Sequence, residues 1–228
     1  LSCLMLAMAF VPGELLRFAG AFGKAYRQAP RGLPTDIQVA AHDLARAMSP
    51  DALLVEARRL GIAVHPSGSP VYVADWYSHS LLIVDPQAGT VTNRFETGES
   101  PSGVAVFDDG DRLVMSDGSD RLTFRDPDTF EPLGEQRVRL RGQPLRNLNE
   151  LECVDGAVYA NVWEEDFLVR IDPETGRVTD YIDAGGLLQG EDLIGSEVLN
   201  GIAYDPTAET FFITGKWWPK MFEVRFVE

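Results

Sequence analysis

Residues 148–166, LNELECVDGAVYANVWEED, hold an unusual density of groups able to do chemistry. Glu150 and Glu152 stand two apart, so on a strand they share one face. Asn149, Asn161 and Trp163 bring amide and indole groups into what otherwise has the pattern of a core. Carboxylates are rarely buried without partners, so such a strand pair would line a wet cavity in which protons and oxyanions are handled. Composition alone favours a plainer reading, an exposed edge hairpin with a solvated acidic face. A second group follows in 214–224, TGKWWPKMFEV. Lys216 comes directly after a glycine at a strand end and directly before Trp217 and Trp218. A lysine in that place is usually a solvated surface group, but two following tryptophans would half-enclose its charge.

The elements that must hold these groups are strands. Residues 148–153 alternate apolar and polar, Asp155-Gly156 is a tight-turn dipeptide, and 157–163 resumes a run of strand formers. Turn signals recur along the chain. Asp85-Pro86, Asp126-Pro127 and Asp172-Pro173 are separated by 41 and 46 residues. A second series comprises Pro66-Ser67-Gly68, Asp109-Gly110, Asp155-Gly156 and Asp205-Pro206. Short strands repeating at this period are the mark of propeller blades, which bury their faces only by stacking. Four blade-like units are expected: 61–97, 98–140, 141–187 and 199–228. The last shows only three strands, at 201–204, 210–214 and 221–227. Residues 187–197 read as a loop over one face.

Residues 1–60 have a different period. Helices are expected over 14–27, 36–48 and 50–60, the last capped by Ser49-Pro50-Asp51 and stopped by Gly61. Residues 1–11 are apolar but short for a membrane span, and suit either a signal-peptide core or a buried helix start. The chain is thus expected to be all-β, a β-propeller over 61–228 behind a helical segment over 1–60.

The net charge is −15, from 20 basic and 35 acidic residues. That argues against nucleic acid and anionic membranes as partners, since both need a basic face. Cys3 and Cys153 lie far apart, and Cys153 reads as a small buried hydrophobe. With His42, His65 and His79 they form no zinc-spaced cluster, so no metal is expected.

The ordered words L-N-E-L-E, A-N-V-W, L-N-G-I-A-Y-D (199–205) and T-G-K-W-W-P-K-M-F-E-V, with MSDGSDRLTFRDPDTFEPL at 115–133, resemble the glutamine cyclotransferases of the plant and bacterial type. The resemblance is dense from about 113 to 227, and the helical segment shows none of its motifs. It implies a five-bladed propeller, of which the four units here correspond to the second through fifth. It implies cyclisation of an N-terminal glutamine to pyroglutamate with loss of ammonia, on peptides or proteins and without a cofactor, and a periplasmic or secreted location. Asn149 matches a substrate-contacting asparagine, Lys216 a lysine of the catalytic site, and Trp163 a pocket tryptophan. Trp76 in V-A-D-W matches a second pocket tryptophan, and Glu150 joins these as a substrate contact. The chain also departs from the pattern. Leu60 falls where the family carries its acid/base glutamate, and Ser102 where it carries a tryptophan. Glu150, Glu152 and Glu99 are the carboxylates open to replace that glutamate. Loss of a general acid costs a factor of ~100 to ~10,000, so an impaired enzyme, a non-catalytic peptide-binding propeller and a truncated or chimeric family member all stay open.

Overall fold

The computed structural model describes residues 60–228 except Tyr77, Pro86, Gly89, Glu99 and Glu228, with Leu60 described for its backbone alone. The helices expected before residue 60 lie outside the described residues, as does the apolar stretch over 1–11.

Every described sheet is an antiparallel meander, and four of them are blades. Blade 1 is β1 (Leu60–Val64), β2 (Val71–Asp75), β3 (Ser80–Asp85) and β4 (Thr90–Glu96). Blade 2 is β5 (Gly103–Val106), β6 (Leu113–Ser116), β7 (Arg121–Arg125) and β8 (Pro132–Arg137). A small hairpin follows, β9 (Arg139–Leu140) and β10 (Gln143–Pro144). Blade 3 is β11 (Leu148–Val154), β12 (Ala157–Val162), β13 (Phe167–Ile171) and β14 (Val178–Asp183). Blade 4 has three strands, β15 (Leu199–Asp205), β16 (Thr210–Gly215) and β17 (Phe222–Val224). The four expected blades are therefore present, the last short of a strand as expected.

The blades are held by shared cores between them. Tyr72 and Leu81 of blade 1 pack with Val104, Leu113 and Met115 of blade 2. Leu122 and Phe124 of blade 2 pack with Leu148, Leu151, Val158 and Ile171 of blade 3. Leu168 of blade 3 packs with Ile202, Ile213 and Trp218 of blade 4. Each fully buried aliphatic side chain contributes roughly 1.5–3 kcal/mol, which no isolated blade could gain. Burial falls outward: β2 is buried throughout, whereas β4 is almost entirely exposed. The first strands form the inner wall, with β1 packed on β5, β5 on β11, and β11 on β15.

The recurring aspartates close the turns. The Asp85, Asp126 and Asp172 carboxylates each accept backbone N–H groups two and three residues on, and Asp205 accepts that of Thr207. This is the turn chemistry that makes aspartate recur at strand ends. At the blade 3 hairpin, Asp155 and Gly156 both have positive φ, 50° and 72°, the requirement of a type I′ turn.

Three expectations are corrected. The hairpin at 148–163 is not an exposed edge: β11 lies on the inner wall and is buried over most of its length. Leu60 and Gly61 do not end a helix but belong to β1. Gly61 is small for a packing reason, since a Cβ there would stand 3.1 Å from the Gly103 Cα on β5. The boundary expected at 140/141 falls inside the β9–β10 hairpin, turned by Arg141 and Gly142 with φ of 52° and 84°. Among the described residues, no helix is long and apolar enough to cross a membrane.

Candidate active site

The site follows from the phase of the strands. In each blade the first strand begins, and the second ends, at the same face of the propeller. Registers pair Leu60 with Asp75, Gly103 with Ser116, Leu148 with Val162 and Leu199 with Gly215. The residue after each second strand is Trp76, Asp117, Trp163 and Lys216. All four line one cavity of about 530 Å³, together with Ser102, Asn149, Glu150 and Asn200 at the starts of β5, β11 and β15. Residues about a blade apart in sequence thus converge on one hollow.

Blades 3 and 4 share a further device. Each first strand carries an irregularity in register, between Leu148 and Leu151 and between Leu199 and Ile202. In both, Leu-Asn begins the bulge. A bulge re-aims side chains locally, and here it turns Asn149 and Asn200 toward each other. The Asn149 Nδ2 donates to the Asn200 Oδ1 at 2.6 Å. That bond leaves the Asn149 Oδ1 as an acceptor and the Asn200 amino group as a donor, on two residues that line the cavity. The bulged backbone is itself held, because the Ser116 hydroxyl donates to the Asn149 carbonyl at 2.6 Å. Gly103 is required beside it: a Cβ there would lie 2.2 Å from the same carbonyl oxygen.

Lys216 is half-buried beside the ring of Trp163. Its Nζ lies 3.9 Å from the centroid of the Trp163 ring, a cation–π contact across the junction of blades 3 and 4. Trp217 instead faces outward, 48% exposed with φ of 58°. Trp218 is buried, and its Nε1 donates to the Glu197 carbonyl at 2.8 Å, fastening the loop before β15. The loop expected at 187–197 contains a short 3-10 turn, Gly190–Leu193, with Asp192 ion-paired to Lys220.

The carboxylates separate. Glu150 is only 3% exposed and lines the cavity. Glu152 is absent from its walls and lies further along β11, toward Asp108, where burial pushes its pKa from 4.5 up to about 8. The two are thus in different compartments despite their spacing. Glu99 lies outside the described residues. Asn161, also singled out in the sequence, is fully buried away from the cavity walls. Its Oδ1 accepts the Gly201 N–H at 3.2 Å, tying β12 to β15. Cys153 is a buried free thiol, its pKa raised chiefly by that burial. Trp76 stands at the cavity mouth, 45% exposed, and Ser102 contributes a small hydroxyl to the wall. Among the described residues, no group of three or more His, Cys, Asp or Glu could hold a metal ion.

Asn200 and Asp117 are cavity residues that sequence reasoning had not singled out. The signal for Asn200 was present: Leu199-Asn200 repeats Leu148-Asn149 one blade later.

The sequence profile of the family described as "Glutamine cyclotransferase" matches residues 32–226. The chain belongs to that family. The match begins inside the segment that had shown none of its motifs, so the likeness extends into residues 32–60. The glutaminyl-peptide cyclotransferase of Arabidopsis thaliana is 38% identical over 126 residues, which are 54% of this chain and 39% of that protein. The chain therefore spans well under half the length of that relative. The crystal structure of Myxococcus xanthus glutaminyl cyclase superposes with a TM-score of 0.63 at 36% identity, covering 72% of this chain and 71% of that one.

Proposed function

We propose that this protein is a glutaminyl-peptide cyclotransferase, converting the N-terminal glutamine of peptides or proteins to pyroglutamate with release of ammonia. The observation that carries the reading is the convergence of Asn149, Trp163 and Lys216 on one cavity. Family membership and the names of the relatives support it.

The chemistry asks for few groups. The α-amine attacks the side-chain amide carbon and must be neutral; its ordinary pKa near ~8 makes that easy at mildly alkaline pH. The Asn149 Oδ1 is free to accept its N–H and aim its lone pair. The amide oxygen becomes an oxyanion, which needs a donor fixed in advance. Lys216, held on the Trp163 ring, supplies a positive charge at the wall. The Asn200 amino group supplies a neutral donor. Stacking of the substrate against the Trp163 and Trp76 indoles would keep the chain folded toward ring closure. At about 530 Å³ the cavity has room for more than a single glutamine residue.

The test is release of ammonia from a glutamine-initiated peptide, with the N-acetylated peptide as control. The reading expects turnover of the first and none of the second. A folded protein that releases no ammonia from either would refute it.

A further inference from the structure

We propose that Glu150 is the proton carrier of this site; the inference rests on the cyclotransferase reading above. Cyclisation moves one proton. The attacking nitrogen must lose it and the leaving nitrogen must gain it. A single carboxylate between them accomplishes both. Two acids among the described residues line the cavity, Glu150 and Asp117. Asp117 is exposed at the rim, and its Oδ1 accepts the Ser119 N–H at 2.9 Å in a turn. Glu150 is buried to 3% exposure, beside Asn149 in the bulge that faces Asn200.

The repeat of the fold makes Glu150 conspicuous. The first strands run Gly61-Ile62-Ala63, Gly103-Val104-Ala105, Glu150-Leu151-Glu152 and Gly201-Ile202-Ala203. At the phase of Glu150 the other three blades carry glycine. Glycine suits the inner wall, where backbones approach closely, as at Gly103. The bulge gives a carboxylate room in that place. A titratable group lining the cavity at a position where the fold accepts glycine points to use rather than packing.

The step balances without a co-reactant. The α-nitrogen forms its bond to the amide carbon, and a proton passes from that nitrogen to a Glu150 oxygen. The same proton passes to the amide nitrogen as its bond to carbon breaks. The products are the lactam and ammonia, and Glu150 returns to carboxylate.

The test compares Glu150→Gln and Glu150→Gly with the parent. Glu150→Gly copies the residue of the sister blades, so it retains the fold. Both variants are expected to lose ~100- to ~10,000-fold in kcat, with KM within about threefold. Added formate should restore at least tenfold of the Glu150→Gly loss, a response that a purely structural role would not give. A Glu150→Gln kcat within threefold of the parent, or no formate rescue of a folded Glu150→Gly, would overturn the proposal and leave the cyclotransferase reading standing. A folded parent chain without turnover would overturn both.

Discussion

Glu152 tests the electrostatics of the inner wall, because its environment makes a signed prediction. Burial raises its pKa from 4.5 to about 8. The Cys153 N–H, which donates to its Oε1 at 3.2 Å, and the Tyr204 N–H act downward, while Asp108 and Glu150 add to the rise. A raised carboxyl pKa means that the folded state prefers the protonated form. Below pH 4.5 both states are protonated and nothing is lost. Between pH 4.5 and about 8 the unfolded chain ionises first, and the fold loses ~1.4 kcal/mol per pH unit. Across that window the full loss would be roughly 4–5 kcal/mol. The Glu152 residue as a whole is only half-buried, and water screening reduces the realised loss to roughly 2 kcal/mol. Glu152→Gln cannot ionise. It should therefore match the parent near pH 4 and exceed it at pH 8.5 by roughly 2 kcal/mol, about 4–8 °C in Tm for a chain of this size. Thermal unfolding followed by circular dichroism at a series of pH values measures this. A difference independent of pH, or a variant weaker than the parent at pH 8.5, would show that Glu152 is not held protonated by the fold.

Four further outcomes follow from the same geometry. Lys216→Met removes the charge seated on Trp163, and kcat should fall ~100- to ~1,000-fold in the ammonia assay while circular dichroism shows the fold retained. Asn149→Ala and Asn200→Ala act on one hydrogen-bonded pair, so the double variant should lose little more kcat/KM than either single one; additive losses would show independent roles. Gly103→Ala drives a methyl into the Asn149 carbonyl and should cost about 2–3 kcal/mol, read as a lowered denaturant midpoint. Leu60→Glu should leave kcat within about threefold if Glu150 carries the proton; a rise of ~100-fold would show that the site lacks a carrier.

The blades were legible because their turns are written locally. Aspartate at a strand end and the Asp155-Gly156 pair act through the next two or three residues, which a sequence displays directly. Asn149, Trp163 and Lys216 were legible as words of a family, although nothing in their spacing placed them together. What joins them is the phase of each blade, in which first strands start where second strands end. Asn200 and the bulges escaped because an irregularity in register depends on the neighbouring strand. Lys216 was expected to be sheltered by Trp217 and Trp218, its sequence neighbours. The structure adds a ring the local sequence does not show, that of Trp163 one blade earlier, and leaves the Trp217 indole largely exposed. The Glu150–Glu152 pair shows the same limit: alternation put both on one face, but the wall of the cavity ends between them.

The central claim is ring closure by the α-amine with expulsion of the side-chain amide. A peptide carrying an isotopic label in the amide nitrogen of its N-terminal glutamine decides it. Cyclisation gives labelled ammonia and an amine-blocked peptide terminus in equal amounts. Labelled ammonia with the terminus still free would mean simple deamidation, and no ammonia from the folded chain would mean no such enzyme; either result contradicts it.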